Sequence, residues 1–337
     1  MDFLKKLKND FILCAEGYLF EMERRGYLKA GPFVPEVTID FPKALEELHN
    51  EFVRAGSDVV LAFTYYAHRD KLKIIGREND LLKMNKNALK IAKKVARENK
   101  VLFAGNISNT WVYDPKDESS KKTVRKMFTE QVRWAKDAGV DFVVGETFGF
   151  LGEAEIALDV IKSFGLKSVI TYAVNSSEKT WDGYSWVEAC KRIEDLGADV
   201  VGLNCLRGPD TMMPLLKKIR KALKGNMAAL PVPYHTTKKE PIFQSFRHKG
   251  KRAFPIDMDS YVIPRCETAR FAAEARKLGV NYIGLCCGAG PHHIRAMAEE
   301  LGRTVPASKY SPDMKLHGLY GTDKVVRKNY RSHRKDW

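Results

Sequence analysis

The sequence predicts an α/β chain folded as a (β/α)8 TIM barrel with a basic C-terminal extension. Three observations support this: eight short apolar runs rich in β-branched residues, amphipathic helical patterns between them, and a length of 337 residues. The predicted strands are Phe11–Ala15, Val59–Thr64, Val101–Asn106, Phe142–Glu146, Ser168–Tyr172, Val200–Asn204, Ala228–Val232 and Tyr282–Cys286. An open doubly wound sheet is the alternative, and it is less favoured because no glycine-rich phosphate-binding fingerprint follows the first strand.

The segments between these runs carry apolar residues at helical spacing. In the first long segment the apolar positions on one helical face are Ala44, Leu45, Leu48, Phe52 and Val53. The stretch 121–139 has the same spacing and ends at Gly139, a residue that commonly stops helices. The stretches 151–165 and 185–198 are similar, and the last predicted helix begins at Pro291. Because strands and helices alternate, the strands are expected to run parallel.

The chain is expected to form one barrel domain and one extension. We assign residues 1–306 to the barrel and residues 307–337 to the extension. The stretch 236–265 is a polar, proline-containing insertion before the eighth strand. The tail after Ala307 is rich in lysine and arginine, and we expect it to wrap the barrel or to meet a partner.

The net charge of +15 comes from lysines and arginines that are scattered through the predicted helices. This pattern is typical of solvated helix faces, and no nucleic-acid-binding motif accompanies it, so a nucleic-acid partner is not expected. No apolar stretch approaches the roughly 18 residues needed to cross a bilayer. The apolar run Phe11–Ala15 is also too short for a secretion signal. We therefore expect a soluble cytoplasmic protein without a membrane partner.

Three of the six cysteines lie at predicted carboxyl ends of strands. Cys205 follows the sixth strand, and Cys286 and Cys287 close the eighth, so all three are expected at one mouth of the barrel. Three thiolates leave the fourth position of a tetrahedral zinc ion open, and soft sulfur ligands favour zinc over magnesium or calcium. The alternative is three buried apolar cysteines, but their meeting at one mouth favours the metal. A disulfide framework is not expected in a large cytosolic chain.

Other polar and aromatic residues follow the predicted strands at the same end, where active sites of this fold lie. They are Glu16, Gly17 and Tyr18 after the first strand, Tyr65 and Tyr66 after the second, Asn106 after the third, Glu146 after the fourth and Asn204 after the sixth. Core packing is the ordinary role of a single aromatic residue. Two adjacent tyrosines at a strand end favour a site, because a buried phenol needs a polar partner.

Several stretches resemble one known enzyme family. "GLNC" at 202–205 and "GLCCGAGPHHIRAMAEEL" at 284–301 resemble the zinc-dependent homocysteine S-methyltransferases. The stretches "RRGYLKAGPFVPE", "LHNEFVRAGSDVV", "FTYYAHRDKL" and "GVDFVVGETF" narrow the resemblance to the betaine–homocysteine branch of that family. The similarity runs from about Glu16 to about Trp337, which is nearly the whole chain.

The resemblance implies a cofactor and a reaction. Zn²⁺ is held by Cys205, Cys286 and Cys287, and homocysteine binds to it as a thiolate. The thiolate attacks a methyl carbon of an onium donor in line. With glycine betaine as the donor, the products are methionine and dimethylglycine.

The same resemblance implies roles for residues around the substrates. Glu146 matches the position that contacts the amine of homocysteine, and Asn204 is expected to orient the site from beside a ligand cysteine. We expect Glu146 and Tyr66 to be the catalytic residues. The substrate-binding residues are Glu16, Gly17, Tyr18, Phe33, Tyr65, Tyr66, Glu146 and Asn204, whose aromatic members lie in the stretches that line the betaine pocket.

The chain departs from the family pattern around both substrates but not at the cysteines. An Asp-Gly-Gly turn usually follows the first strand, and the aligned residues here are Ala15, Glu16 and Gly17. The tyrosine that commonly follows the glutamate of the fourth strand is Thr147, and an oxygen-bearing residue of the second strand is Ala62. The identity of the donor is therefore less securely predicted than the activation of the thiol.

Two alternatives remain open from the sequence. A sulfonium donor such as dimethylsulfoniopropionate or S-methylmethionine would also suit an aromatic pocket. A more remote alternative is a structural-zinc barrel whose basic surface binds nucleic acid, although structural zinc normally has four protein ligands. The animal enzymes that the chain resembles continue into a helical arm that supports a tetramer, so a tetramer is less expected here and a homodimer is compatible with this sequence.

Overall fold

Eight parallel strands surround a common core in the computed structural model, which describes residues 2–329. They are β1 (Ile12–Ala15), β2 (Val59–Leu61), β3 (Leu102–Ser108), β4 (Phe142–Phe148), β5 (Lys167–Ala173), β6 (Val200–Asn204), β7 (Asn226–Leu230) and β8 (Tyr282–Leu285). Strands that follow one another in the chain are neighbours, and β8 also pairs with β1. The predicted (β/α)8 barrel is therefore confirmed.

An outer layer of helices covers these strands. The helices are α1 (Phe3–Asn9), α2 (Tyr18–Arg24), α3 (Val37–Asp40), α4 (Pro42–Ala55), α5 (Arg69–Ile74), α6 (Leu81–Asn99), α7 (Glu118–Ala138), α8 (Leu151–Ser163), α9 (Trp186–Asp195), α10 (Pro209–Ala222), α11 (Arg265–Lys277), α12 (Pro291–Glu300) and α13 (Lys324–Asn329). α4 and α6 to α12 each follow one barrel strand in turn. In α4, Leu45, Leu48 and Phe52 are buried, as their helical spacing predicts.

Three strands end earlier than predicted, β8 by one residue and two others by more. β7 ends at Leu230 instead of Val232, because Pro231 has no N–H to continue the ladder. β2 ends at Leu61 instead of Thr64, because the Thr64 N–H turns back to a carbonyl two residues earlier at 2.8 Å.

Four loops at the amino end of the barrel repeat the motif Gly-x-Asp or Gly-x-Asn. In each, the glycine has positive φ and directly follows a helix or its last turn: Gly56, Gly139, Gly197 and Gly279. Two residues later, a side chain accepts the N–H of the second residue of the preceding strand: Asp58 from Leu13 at 2.8 Å, Asp141 from Phe103 at 2.8 Å, Asp199 from Ser168 at 2.9 Å and Asn281 from Met227 at 3.1 Å. The Asp58 N–H also donates to the Leu13 carbonyl at 2.7 Å, which joins β1 to β2 and completes the ring.

The amino end of the barrel is covered by α1. The ring of Phe3 is buried and stacks on Phe142 of β4, with ring centroids 4.1 Å apart. Lys6 of the same helix forms an ion pair with Asp58 at 2.5 Å. This end of the barrel is therefore filled by packing and ion pairs, which leaves the carboxyl end for a site.

The segment between β7 and α11 lies at the carboxyl end of the barrel. It contains an antiparallel hairpin, Arg247–His248 with Lys251–Arg252, and it buries Phe243 and Phe246. Single helical turns of the 3₁₀ type occur at Glu78–Asp80, Phe243–Ser245, Asp259–Tyr261, Pro306–Tyr310 and Met314–Leu316.

The division of the chain at residue 306 stays a prediction. The extension begins with two 3₁₀ turns and continues to α13, and residues 330–337 lie outside the described part of the chain. Among residues 2–329, none of the helices has both the length and the apolar character needed to cross a membrane.

Candidate active site

Three cysteines from two strand ends meet at the carboxyl end of the barrel. Cys205 directly follows β6, and Cys286 and Cys287 directly follow β8. Their Sγ atoms all lie within 4.8 Å of one another, and those of Cys286 and Cys287 are 3.9 Å apart. Sulfur atoms bound about 2.3 Å from a tetrahedral zinc ion would be about 3.8 Å apart. The ligand type and the spacing therefore fit a zinc ion.

The pKa values of the three thiols depend on one another. Hydrogen bonds from Cys286 and Cys287 hold the pKa of the Cys205 thiol well below its ordinary value. The Cys205 thiolate in turn raises the pKa of the Cys286 and Cys287 thiols. A bound cation would allow every thiol of the cluster to ionise.

Glu146 lies beside the cysteines and is held by three hydrogen-bond donors. They are Asn106 Nδ2 at 2.5 Å, Asn204 Nδ2 at 3.0 Å and the Thr147 hydroxyl at 3.3 Å. Burial raises the pKa of Glu146 to about 7, and the hydrogen bond from Asn106 opposes that rise. Glu146 and Asn204, two of the residues predicted for the site, are thus neighbours. The side chain of Asn204 fixes the Glu146 carboxylate.

Glu16 reaches the same site because β1 pairs with β8. Ala15 pairs with Leu285, and the Glu16 N–H continues the ladder by donating to the Leu285 carbonyl at 3.0 Å. A carboxylate oxygen of Glu16, one of Glu146 and the Sγ of Cys286 lie within 4.8 Å of one another. Burial raises the pKa of Glu16 well above its ordinary value, and the neighbouring Glu146 raises it further.

Gly17 allows the loop after β1 to approach the cysteine loop. A Cβ at this position would lie 2.3 Å from the Ala289 carbonyl oxygen, so a larger residue would displace the backbone. In the same region Arg24 donates to the Tyr234 hydroxyl at 2.8 Å and to the Gly288 carbonyl at 3.4 Å. Arg24 was not singled out from the sequence, although it is the first residue of the stretch "RRGYLKAGPFVPE" that carries part of the family resemblance.

Two cavities meet at the cysteines. The smaller cavity contains the polar residues Glu16, Asn106, Glu146, Thr147, Cys205, Cys286 and Cys287, and its remaining wall consists of Tyr18, Leu19, Leu61, Ala62, Phe63 and Tyr65. The larger cavity is mainly aromatic, with Phe20, Phe33, Tyr65, Tyr66, Trp111, Trp181, Phe243 and Phe254. Cys205 and Cys287 line both cavities, so the thiol cluster lies between them.

The backbone is strained where the chain surrounds the larger cavity. Six non-glycine residues that line it have φ between 54° and 64°: Phe33, Tyr66, Trp111, Thr147, Cys205 and Leu206. Left-handed backbone at such residues costs roughly 1 kcal/mol or more each. Strain concentrated in this way is typical of a site whose side chains must be aimed at a ligand.

The aromatic residues predicted for a donor pocket are only partly brought together. Phe33, Tyr65 and Tyr66 line the larger cavity. Tyr18 lines the smaller one, with its ring edge-on to His49 at 4.6 Å. The structure therefore separates Tyr18 from Phe33 and Tyr66, with Tyr65 between the two groups.

Two tryptophans at the rim of the larger cavity were missed from the sequence. Trp111 donates through Nε1 to the Tyr66 hydroxyl at 2.7 Å, and its ring lies 5.7 Å from that of Trp181. The Lys71 ammonium lies 4.3 Å from the centroid of the Tyr66 ring. Trp111 and Trp181 belong to the loops after β3 and β5, and no local pattern predicts how far a loop reaches.

Two buried carboxamides in the larger cavity each have one atom without a hydrogen-bond partner in the described part of the chain. They are Oδ1 of Asn109, an acceptor, and Nδ2 of Asn175, a donor. The two residues are 3% and 9% exposed. An unpaired buried polar group costs roughly 1–3 kcal/mol, so a ligand that offers matching groups would be favoured here.

Comparison with known proteins gives consistent matches. The sequence model of the family described as "Homocysteine S-methyltransferase" matches residues 17–301. Betaine–homocysteine S-methyltransferase 1 of Rattus norvegicus is 35% identical over 319 residues, which cover 91% of this chain and 75% of the relative. S-methylmethionine–homocysteine S-methyltransferase BHMT2 of Pongo abelii is 32% identical over 335 residues, which cover 95% of this chain and 86% of the relative.

A solved structure shares the fold. The homocysteine methyltransferase MmuM from Escherichia coli, in its metallated form, superposes with a TM-score of 0.68 at 18% identity. The match covers 87% of this chain and 96% of that one. With the barrel, the cysteine cluster and the match of the family model over residues 17–301, the chain belongs to the homocysteine S-methyltransferase family.

Proposed function

We propose that the chain transfers a methyl group from glycine betaine to homocysteine, giving methionine and dimethylglycine, with Zn²⁺ held by Cys205, Cys286 and Cys287. The observation that carries the proposal is that the cysteine cluster lies between a cavity that contains the carboxyl groups of Glu16 and Glu146 and an aromatic cavity. A thiol bound from the side of the carboxyl groups faces an onium methyl group held on the aromatic side. The similarity to betaine–homocysteine S-methyltransferases supports this choice of substrates.

The smaller cavity suits the amino group of homocysteine. Glu146 is fixed by Asn106 and Asn204 and can accept a hydrogen bond from an ammonium. Among the described residues no lysine, arginine or histidine lines this cavity, so a cationic substrate group is a favourable neighbour for its carboxylates. Zinc bound by the three thiolates would lower the pKa of the homocysteine thiol, so that its sulfur is ionised near neutral pH.

The larger cavity suits the donor. A quaternary ammonium offers no hydrogen-bond donor, and the faces of Phe33, Tyr65 and Tyr66 attract it electrostatically. The sulfur–carbon bond forms as the carbon–nitrogen bond breaks, and the electron pair leaves on the nitrogen of dimethylglycine, whose amine is uncharged as it leaves and whose carboxylate keeps its negative charge. Since no proton moves in this step, Tyr66 contributes through the position of its ring, which the hydrogen bond from Trp111 fixes. Alignment of the three reacting atoms is the main contribution of the cavity.

A sulfonium amino acid such as S-methylmethionine is the second candidate donor. The free acceptor at Asn109 Oδ1 favours it, because glycine betaine has no N–H to donate and S-methylmethionine carries an ammonium. The free donor at Asn175 Nδ2 can pair with the carboxylate of either compound. Similarity to an S-methylmethionine-dependent relative supports this candidate as well.

The proposal is tested by metal analysis and by methionine formation with glycine betaine, dimethylsulfoniopropionate and S-methylmethionine side by side. We expect about one zinc per chain and methionine formation with glycine betaine. We expect Cys286→Ser to lose most of the metal and at least about 100-fold in rate, because the cluster would keep only two thiolates. Cys190→Ser, a buried cysteine of α9 outside the site, is the control and should keep both properties.

Each outcome decides one part of the proposal. Activity with S-methylmethionine alone would replace the donor and keep the chemistry. Full activity in metal-free protein, or in Cys286→Ser, would rule out the zinc centre. A protein that holds zinc and methylates homocysteine with none of the three donors would contradict the assignment of an onium donor.

A further inference from the structure

Glu16 is the buried carboxyl of the site for which the proposed reaction names no individual partner. Its side chain is 8% exposed, and its Oε2 has no hydrogen-bond partner among the described residues. A carboxyl removed from water in this way either takes up a proton or is paired with a positive charge. Within the described residues that line its cavity there is no basic side chain to supply that charge.

The backbone directs Glu16 towards the cysteines. Its N–H extends the β1–β8 ladder beyond Ala15 and Leu285, which places it next to Cys286 in register. Close packing of Gly17 against Ala289 holds the loop in that position. The position therefore follows from strand pairing and does not depend on a flexible loop.

The side chain completes the set of ligands. A Glu16 oxygen lies within 4.8 Å of the Cys286 Sγ, and Glu16 lines the same cavity as Cys205 and Cys287. Zinc accepts carboxylate oxygens at about 2.0–2.2 Å and is normally four-coordinate. Three thiolates and one carboxylate would satisfy it without a substrate.

Glu146 is equally near but is already engaged. Its carboxylate accepts hydrogen bonds from Asn106, Asn204 and Thr147, whereas Glu16 Oε2 accepts none. Moving Glu146 onto a metal would break these bonds, whereas Glu16 can offer its Oε2 to a metal without breaking a hydrogen bond of that atom. Glu16 is therefore the carboxylate that is free to act as a ligand.

We propose that the Glu16 carboxylate is the fourth ligand of the metal held by Cys205, Cys286 and Cys287 when no thiol substrate is bound, and that the incoming thiol displaces it. On binding, the metal–oxygen bond breaks, the metal–sulfur bond forms, and the proton of the thiol is released to the buffer. The inference rests on the metal site of the proposed function and does not depend on the methyl donor.

Cobalt-substituted full-length protein provides the test, because its absorption spectrum reports the ligands of the metal directly. The spectrum is recorded during titration with 2-mercaptoethanol, a thiol without an amine or carboxylate, and then with homocysteine. We expect Glu16→Gln to bind 2-mercaptoethanol about tenfold more tightly than the wild type, because no ligand has to be displaced. We also expect it to lose cobalt to a chelator about tenfold more readily in the absence of thiol.

Two further variants separate ligation from other effects. Glu16→Asp keeps the charge but withdraws the oxygen by one methylene, so it should behave like Glu16→Gln if Glu16 is a ligand. Glu36→Gln changes another partly buried glutamate, which lines neither of the two cavities at the cysteines, and should match the wild type. Circular dichroism checks the fold of each variant, and Glu16→Asp decides the question if Glu16→Gln does not fold.

Three results would overturn the inference. Unchanged spectra and thiol affinities in both Glu16 variants would exclude ligation. Wild-type behaviour of Glu16→Asp beside tighter binding by Glu16→Gln would show an effect of charge alone. Weaker binding of homocysteine alone would show that Glu16 contacts the substrate amine. Because no methyl donor is present, failure here is distinguishable from failure of methyl transfer, which the methionine assay reports separately.

Discussion

At the scale of single residues, Glu153 shows how a buried charge outside the metal site supports the rim of the cavity. Its carboxylate is 2% exposed and accepts hydrogen bonds from the N–H of Thr110 at 2.8 Å and from its hydroxyl at 2.6 Å. The next residue, Trp111, has positive φ and donates to Tyr66. Glu153 thus anchors the loop that carries Trp111 over the aromatic cavity.

Glu153 also gives the fold a predictable dependence on pH. Burial raises its pKa to about 7 from an ordinary value of 4.5, although the bonds from Thr110 oppose the rise. The folded chain therefore holds more protons than the unfolded chain between these values, and stability falls as pH rises through this window. One pKa unit corresponds to about 1.4 kcal/mol, so the contribution is at most a few kcal/mol.

We expect Glu153→Gln to remove this contribution, because an amide oxygen can still accept both bonds but carries no charge. Urea unfolding at pH 5, 6, 7 and 8 measures it: the stability of the variant relative to the wild type should increase up to about pH 7 and then level off. Asp159→Asn, an exposed change on the same helix, is the control. A relative stability that does not vary with pH would show that Glu153 is not the titrating group.

The residues of the candidate site differ in how far the sequence predicted them. The three cysteines were predicted together, because each directly follows a strand and strand ends share one face of the barrel. Asn109 and Asn175 were not predicted, although they are buried in the larger cavity. Their unpaired atoms result from the packing of loops that lie far apart in the chain, and spacing in the sequence carries no signal for that.

At the scale of elements, several helices end at a glycine with positive φ, and one helix ends at a lysine with positive φ. Gly56, Gly139, Gly197 and Gly279 adopt positive φ where helices end. Lys100 ends α6 with φ 56° and ψ 37°, a left-handed conformation in which its Cβ is unfavourable. Its side chain is exposed, so the position is strained without an evident packing benefit.

We expect Lys100→Gly to stabilise the fold by about 0.5–1 kcal/mol, because glycine adopts this conformation without steric cost. Thermal and urea unfolding measure the gain, and metal binding at the other end of the barrel should not change. Lys100→Ala retains the Cβ and should show no such gain. Equal stability of the two variants would show that the lysine side chain, and not its backbone, determines the energy at this position.

The Gly-x-Asp and Gly-x-Asn loops were visible in the sequence but their function was not. Asp58, Asp141, Asp199 and Asn281 each stand two residues after a glycine and directly before a strand. The pattern recurs before every second strand, which indicates that the strands are linked in pairs. Only the folded barrel shows that each of these side chains accepts an N–H from the preceding strand.

At the scale of the whole molecule, the two ends of the barrel have separate tasks. The carboxyl end holds the cysteines, both cavities and the strained residues that line the larger cavity. The amino end is filled by α1, whose Phe3 and Leu7 are buried. The stability of the barrel should therefore depend on α1 without any direct effect on the metal site.

Truncation of the buried ring tests this separation. We expect Phe3→Ala to lower the free energy of unfolding by about 3 kcal/mol, because it removes a ring stacked on Phe142 and leaves a cavity. Metal content and homocysteine binding at temperatures where the variant is folded should match the wild type. Lys5→Ala, an exposed change on the same helix, should alter stability by less than about 0.5 kcal/mol. A loss of metal in folded Phe3→Ala would show that the two ends are coupled.

The sequence by itself determined the barrel, its eight strands and the three metal-ligating candidates. These features are local: the alternation of apolar runs with helical spacing defines the elements, and a residue directly after a strand lies at the mouth whatever the rest of the chain does. The boundary errors at β2 and β7 were also local, since a turn and a proline explain them.

Only the tertiary structure decided how the site is completed. The approach of Glu16 to Cys286 depends on the pairing of β1 with β8, which are about 270 residues apart in the chain. The aromatic cavity depends on loops after β3 and β5 that bring Trp111 and Trp181 together. Such contacts are set by the packing of remote segments, so no short pattern in the sequence encodes them, and the proposals for the fourth ligand and for the donor rest on these contacts.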